Sequence, residues 1–203
     1  MYQPAHFAQA DPAVWQALLR EQPFATLVTP AGAGFTADHL PLEYDTQAQR
    51  LQGHVARANP LWREAHGREV LAIFQGPDAY VSPSWYPGKH EHGKVVPTWN
   101  YAVVHLHGRL EAIDDAAWLR GFVERLTARH EAARAQPWAV NDAPGDYIEQ
   151  MLKAIVGIRI EVTRVEAKWK VSQNRSAADR QGVARGLALA DDAAMAALVS
   201  GGA

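Results

Sequence analysis

The chain has 203 residues, 48% of them hydrophobic, with a formal net charge of -2 and no cysteine. That length suits one domain, or one domain with a small appendage, and enough core to fold without staples. The composition excludes disulfides, thiolate metal sites and a thiol nucleophile, and an acidic balance argues against strong electrostatic binding of DNA.

In chain order, residues 1–12 lack the basic and apolar regions of a signal peptide, and no apolar run approaches a membrane span, so a cytoplasmic protein is expected. Residues 11–22 predict a helix, with Asp11 as N-cap, Pro12 in the first turn and an apolar face of Val14, Trp15, Leu18 and Leu19. Residues 24–29 and 35–44 predict strands joined by the turn sequence PAGAG, with His39 in the second. A strand over 50–56 carries His54, and Asn59-Pro60 opens a short helix over 61–66. Two strands, 69–74 and 78–82, are predicted to turn at Gly76-Pro77. Residues 95–110 predict a long strand with Val104, Leu106 and Leu110 on one face and His105, His107 and Arg109 on the other. Helices over 114–131 and 146–155, a strand over 157–165 and two terminal helices over 175–190 and 191–199 follow. Short strands with hairpin signals and late helices indicate a mainly β protein with helical additions, an α+β fold built on a small barrel. Without βαβ alternation or a glycine-rich nucleotide loop, a Rossmann domain or a P-loop is not expected.

Chemistry concentrates in residues 80–108, where Tyr80, Trp85, Tyr86, Trp99 and Tyr101 flank a loop holding Lys89, His90, His92 and Lys94. Flat rings offer stacking faces and cations offer anion contacts, although such rings as often cap a barrel end. Arg57 and Asn59 form a candidate phosphate clamp at a strand end. The side chains of Thr98 and Asn100 suit the heteroatoms of a planar ring. Lys168, Trp169 and Lys170 fall in a segment, residues 159–185, with 7 Lys/Arg against 3 Asp/Glu, a surplus of 7 − 3 = +4. The spacing His105-x-His107-x-x-x-Glu111 matches the first metal motif of cupin barrels. Trp99 stands where that motif has a glycine and no downstream partner follows, so no metal site is expected. No nucleophile elbow or carboxylate pair suggests a hydrolase.

Several motifs taken together carry a resemblance: MYQPAHF at the start, DHLPL at 38–42, GHVARANPLW at 53–62, VSPSWY at 81–86, VPTWNYAVVHLHG at 96–108 and KWKVSQNR at 168–175. They resemble the PaiB family of FMN-binding negative transcriptional regulators. The resemblance implies a homodimeric, FMN-binding split β-barrel similar to pyridoxamine-phosphate oxidase-like proteins, over residues 1–175, with inserted helices at 114–155 and a helical extension at 176–203. In that reading Arg57 and Asn59 hold the phosphate or ribityl end of FMN, and Thr98, Asn100 and Tyr101 meet the isoalloxazine or ribityl chain. Trp85 and Trp169 wall the ring, Lys170 lies on the same rim, and His39 and His54 are further candidates. Rival readings are a flavin-dependent oxidoreductase for a small substrate and a haem-binding split barrel. No recognition-helix pattern accompanies Arg175, Arg180 and Arg185, so DNA contact is expected to be weak or indirect.

Overall fold

Seven strands and seven α-helices dominate the computed structural model, which describes residues 1–201. The strands are β1 (Phe24–Ala31), β2 (Gly34–Pro41), β3 (Glu43–Asp45), β4 (Arg50–Ala56), β5 (Glu69–Val81), β6 (Thr98–Ile113) and β7 (Ile155–Lys170). They form one sheet in the order β2-β1-β5-β6-β7-β4-β3, and β2 returns beside β4. The helices are α1 (Pro12–Glu21), α2 (Leu61–Glu64), α3 (Gly88–Glu91), α4 (Ala116–Glu131), α5 (Gly145–Lys153), α6 (Ala177–Leu189) and α7 (Ala193–Gly201). The chain divides into two compact units, and the division falls within β5, β6 and β7. No helix among the described residues is long and apolar enough to cross a membrane.

The first unit holds Met1–Gln22, Ile73–His105 and the described residues from Val165 on. Asp11 caps α1 by accepting from the Ala13 amide at 2.8 Å, and the helix buries Trp15, Leu18 and Leu19. Each buried leucine contributes about 1.5–3 kcal/mol relative to exposure. The turn expected at Gly76-Pro77 is absent, because β5 runs through as one strand of 13 residues. Gly76 serves close packing instead: a Cβ there would lie 2.6 Å from Leu18 Cδ1 and 3.2 Å from Ala102 Cβ. β7 is likewise longer than expected and takes in Lys168, Trp169 and Lys170. Its end buries Ala167, Lys168 and Trp169 in succession, so alternation fails as a strand signal there. Ser176 caps α6 through the Asp179 amide at 3.1 Å, and α6 buries Gly182, Val183, Gly186 and Leu187. Trp85, on the 3-10 turn Pro83–Trp85, is seated against that face. A Cβ on Gly186 would lie 2.3 Å from the indole, and one on Gly182 would lie 2.1 Å from the Trp85 carbonyl oxygen.

The second unit holds Pro23–Ala72 and Leu106–Arg164. β1 and β2 form an antiparallel hairpin from Phe24↔Pro41 to Ala31↔Gly34, turned at Gly32 with φ 53. The strand expected over 35–44 is two strands, because the Leu42 amide leaves the ladder to donate to the Pro23 carbonyl at 2.9 Å. Asp115 caps α4 through the Trp118 amide at 2.6 Å. Trp118 stacks on Phe122 with centroids 5.3 Å apart. Leu119 joins Val140, Ile148 and Leu152 in a smaller core beneath α5.

Candidate functional site

The predicted site residues fall into two sets, one in each unit. In the second unit, Arg57 follows β4, where its Nη1 and Nη2 donate to the two carboxylate oxygens of Asp114 at 2.8 and 2.6 Å. Its Nε donates to the Lys153 carbonyl at 2.7 Å, and Nη2 also reaches the Ile155 carbonyl at 3.1 Å. Hydrogen bonding to Asp114 raises the guanidinium pKa, and the same bonds hold the Asp114 carboxyl below its ordinary value. The fork expected to meet phosphate is thus engaged with protein. Asn59 is engaged as well: Nδ2 donates to Asp38 Oδ1 at 2.7 Å, and Oδ1 accepts from the Leu61 amide at 2.9 Å. These bonds join the motifs DHLPL and GHVARANPLW. His39 is exposed beside Thr26, its Nδ1 3.1 Å from the hydroxyl, and stacks on Phe24. His54 packs edge-on against Phe122 at 5.9 Å, and burial lowers its pKa. Its Nδ1 is buried without a partner among the described residues. Glu111, from the cupin-like spacing, accepts from Arg159 at 2.8 Å.

In the first unit, the start of β6 and the end of β7 bring most of the remaining candidates together. Lys170 Nζ donates to Thr98 Oγ1 and to the Trp99 carbonyl. Asn100 is fully buried and its Nδ2 donates to Ser172 Oγ at 2.9 Å, so its amide holds the chain after β7. Tyr101 is half-buried, and its ring centroid lies 5.1 Å from Lys168 Nζ. Lys168 is only 6% exposed, with its ammonium also near the rings of Tyr2 and Phe7 and donating to the Tyr2 carbonyl at 3.1 Å. Burial lowers the Lys170 pKa first, and the charges of Lys168 and Arg175 lower it further. Trp169 is 3% exposed and lines a groove of about 610 Å³ with α1 and α7. Trp85 is seated against α6. Trp99 and Tyr80 are open rings, 55% and 48% exposed and packed edge-to-face at 6.1 Å. The Glu166 carboxylate, near His105, receives the Met1 ammonium at 2.9 Å.

Sequence reasoning missed Asp114, Asp38, Ser172 and the place of Arg175. Asp38 and Ser172 lie inside quoted motifs, which was the available signal. Asp114 carried none, being 57 positions from Arg57.

Comparison with known proteins sets this geometry in a family. The family model described as "Putative FMN-binding domain" matches residues 1–164. The chain belongs to that family. It is 35% identical to Protease synthase and sporulation protein PAI 2 of Bacillus subtilis, over 90% of this chain and 87% of that one. It is 32% identical to an uncharacterized protein of Emericella nidulans, over 92% and 90% of the two chains. The PaiB resemblance read from the motifs therefore holds. Among solved structures, the FAD and heme binding protein from Mycobacterium smegmatis aligns with TM-score 0.61 and 17% identity, over 80% of this chain and 72% of that one. The flavocytochrome Anf3 from Azotobacter vinelandii aligns with TM-score 0.59 and 15% identity, over 80% and 69%. These likenesses establish the split-barrel fold, as expected. The family's cofactor is FMN, and the first unit supplies what such a group requires, cations for an anion and open rings beside them. Lys168, Lys170 and Arg175 lie beyond the region matched by the family model.

Proposed function

We propose that this protein binds FMN in its split barrel and takes part in negative control of transcription as a PaiB-type regulator. The observation that carries the flavin reading is the match of residues 1–164 to the FMN-binding family. The cationic end of β7 and the open Trp99 and Tyr80 rings support it. In this reading Thr98, Tyr101 and Lys170 meet the flavin from the first unit, with Asn100 holding the adjacent backbone. Trp85 and Trp169 act by packing around that site. The second unit's own candidates are His39, Arg57 and Asn59, and Arg57 is available to FMN only on exchanging its Asp114 partner. His54 serves packing. The regulatory half rests on the Bacillus relative, whose name places it with protease synthesis and sporulation. The chain's net charge of -2 favours action through a partner over direct DNA binding.

The test is the absorbance and mass of whatever purifies with the protein, followed by titration of stripped protein with FMN. Flavin bands and saturable quenching of FMN fluorescence are expected. A Soret band with no flavin uptake would replace FMN by haem, and rapid bleaching of bound flavin by a nicotinamide cofactor would make the protein an oxidoreductase.

A further inference from the structure

The chain does something unusual directly after β7. Ser172 has φ 65, the left-handed region that a side chain rarely occupies, and it is 3% exposed. The turn is tied down on every side. Asn100 Nδ2 donates to Ser172 Oγ at 2.9 Å, and the Val171 amide donates to Gln173 Oε1 at 2.8 Å. Gln173 Nε2 donates to the Trp169 carbonyl at 2.5 Å, and the Arg175 amide donates to the Ser172 carbonyl at 2.9 Å. Held this way, the turn carries Arg175 over the Tyr86 ring at 5.1 Å and brings its charge to bear on Lys170. Strain of this kind persists where the surroundings over-determine it, and it concentrates at binding sites.

Cations predominate at this turn, and the carboxylate that bears on Tyr86, Asp179, accepts from the Gly88 amide at 3.2 Å. The charges of Lys168 and Arg175 both bear on Lys170, and among the described residues none of the three is paired with a carboxylate. Lys168 is buried and Lys170 half-buried, so water does not fully screen them. Beside the Arg175 guanidinium, which bears on it as a donor, the buried Tyr86 hydroxyl has no acceptor for its own proton among the described residues, on a residue 1% exposed. Clustered cations beside an unused hydroxyl donor suit an oxyanion.

We propose that the end of β7 and the turn over residues 171–175 form an oxyanion clamp, in which Lys170 and Arg175 grip a phosphate or carboxylate group beside the Tyr86 hydroxyl. The clamp stands on the first unit's own geometry. Its assignment to the phosphate of FMN rests on the flavin reading above, and the other source is a separate small oxyanion.

Inorganic phosphate is the probe, applied to flavin-stripped full-length protein. Phosphate is expected to raise the melting temperature and to protect Lys170 from amine acylation, read by peptide mass. Lys170→Gln and Arg175→Gln are each expected to weaken phosphate by about tenfold to a hundredfold, the loss of one charged hydrogen bond. If the clamp holds the FMN phosphate, phosphate competes with FMN, and both variants weaken FMN while riboflavin is unchanged. If it holds a separate oxyanion, phosphate and FMN bind together. A protein that takes up no flavin at all but still shows phosphate protection of Lys170 keeps the clamp and loses the flavin assignment. Unprotected Lys170 in the wild-type protein overturns the clamp whether or not the variants fold, as does phosphate binding that survives both substitutions.

Discussion

Burial holds the His54 imidazole below its ordinary value of 6.5, and its Nδ1 has no partner among the described residues. Because the unfolded chain binds that proton more readily, the contribution of His54 to stability is complete above about pH 6.5 and is lost as pH falls from there through the depressed folded value. The urea midpoint of the wild-type protein is expected to decline below about pH 6.5, ahead of most carboxylate titrations. His54→Leu should flatten that decline. An identical slope in both proteins would place the sensitive group elsewhere. Arg57 invites a second test at this scale. Its donors hold Asp114 and the carbonyls of Lys153 and Ile155, so it ties the end of β4 to the starts of α4 and β7. Arg57→Ala should therefore lower the melting temperature and weaken FMN and riboflavin by the same factor. A loss confined to FMN in fluorescence titrations would show that the guanidinium reaches the phosphate.

At the scale of elements, α6 is shaped to receive the turn that carries Trp85. The helix presents Gly182 and Gly186 on its buried face, and Asp179 accepts from the Gly88 amide at 3.2 Å. The seat orders residues 82–88 and with them Tyr86, whose hydroxyl burial pushes above its ordinary range. Gly186→Ala adds a methyl where only 2.3 Å separates it from the indole. Overpacking of this kind costs about 1–3 kcal/mol. Denaturant unfolding should show that loss together with a red-shifted tryptophan emission as the indole is displaced. Unchanged emission and stability would mean that α6 yields and the seat is loose.

For the whole molecule, charge and exposed rings make the predictions. The net charge is -2 and the basic surplus over residues 159–185 is partly spent on Glu111 and on the clamp. DNA binding should be weak and little dependent on sequence, with a shallow salt slope of about 0.9 per phosphate neutralised. A gel-shift titration at physiological salt checks this, and nanomolar binding to one promoter, uncompeted by mixed DNA, would contradict it. Phe24, Phe35, Trp99 and Trp138 are 45% or more exposed, a quantity of apolar surface that favours self-association. Light scattering is expected to give a homodimer at micromolar concentration, and a monomer alone would count against that state.

Sequence by itself determined the elements whose signals are local. An apolar face and a cap at Asp11 marked α1, which the structure reproduces within a few residues. Alternation through Val104, Leu106 and Leu110 marked β6, whose buried face is the expected one. The ordered motifs also identified the family, because together they span most of the chain. Only the tertiary structure decided that Gly76-Pro77 continues a strand, since the reason is a leucine on α1 that packs against it. It alone joined Arg57 to Asp114, Asn59 to Asp38, and Lys170 and Ser172 to the start of β6, pairs separated by 57, 21 and 72 positions. The physical reason is common to all of them. A side chain's hydrogen-bond partner is set by strand register and by which elements fold alongside, and local periodicity carries neither. The sequence could list the cations and amides of a flavin protein, but which of them protein groups already occupy depends on contacts made across the fold.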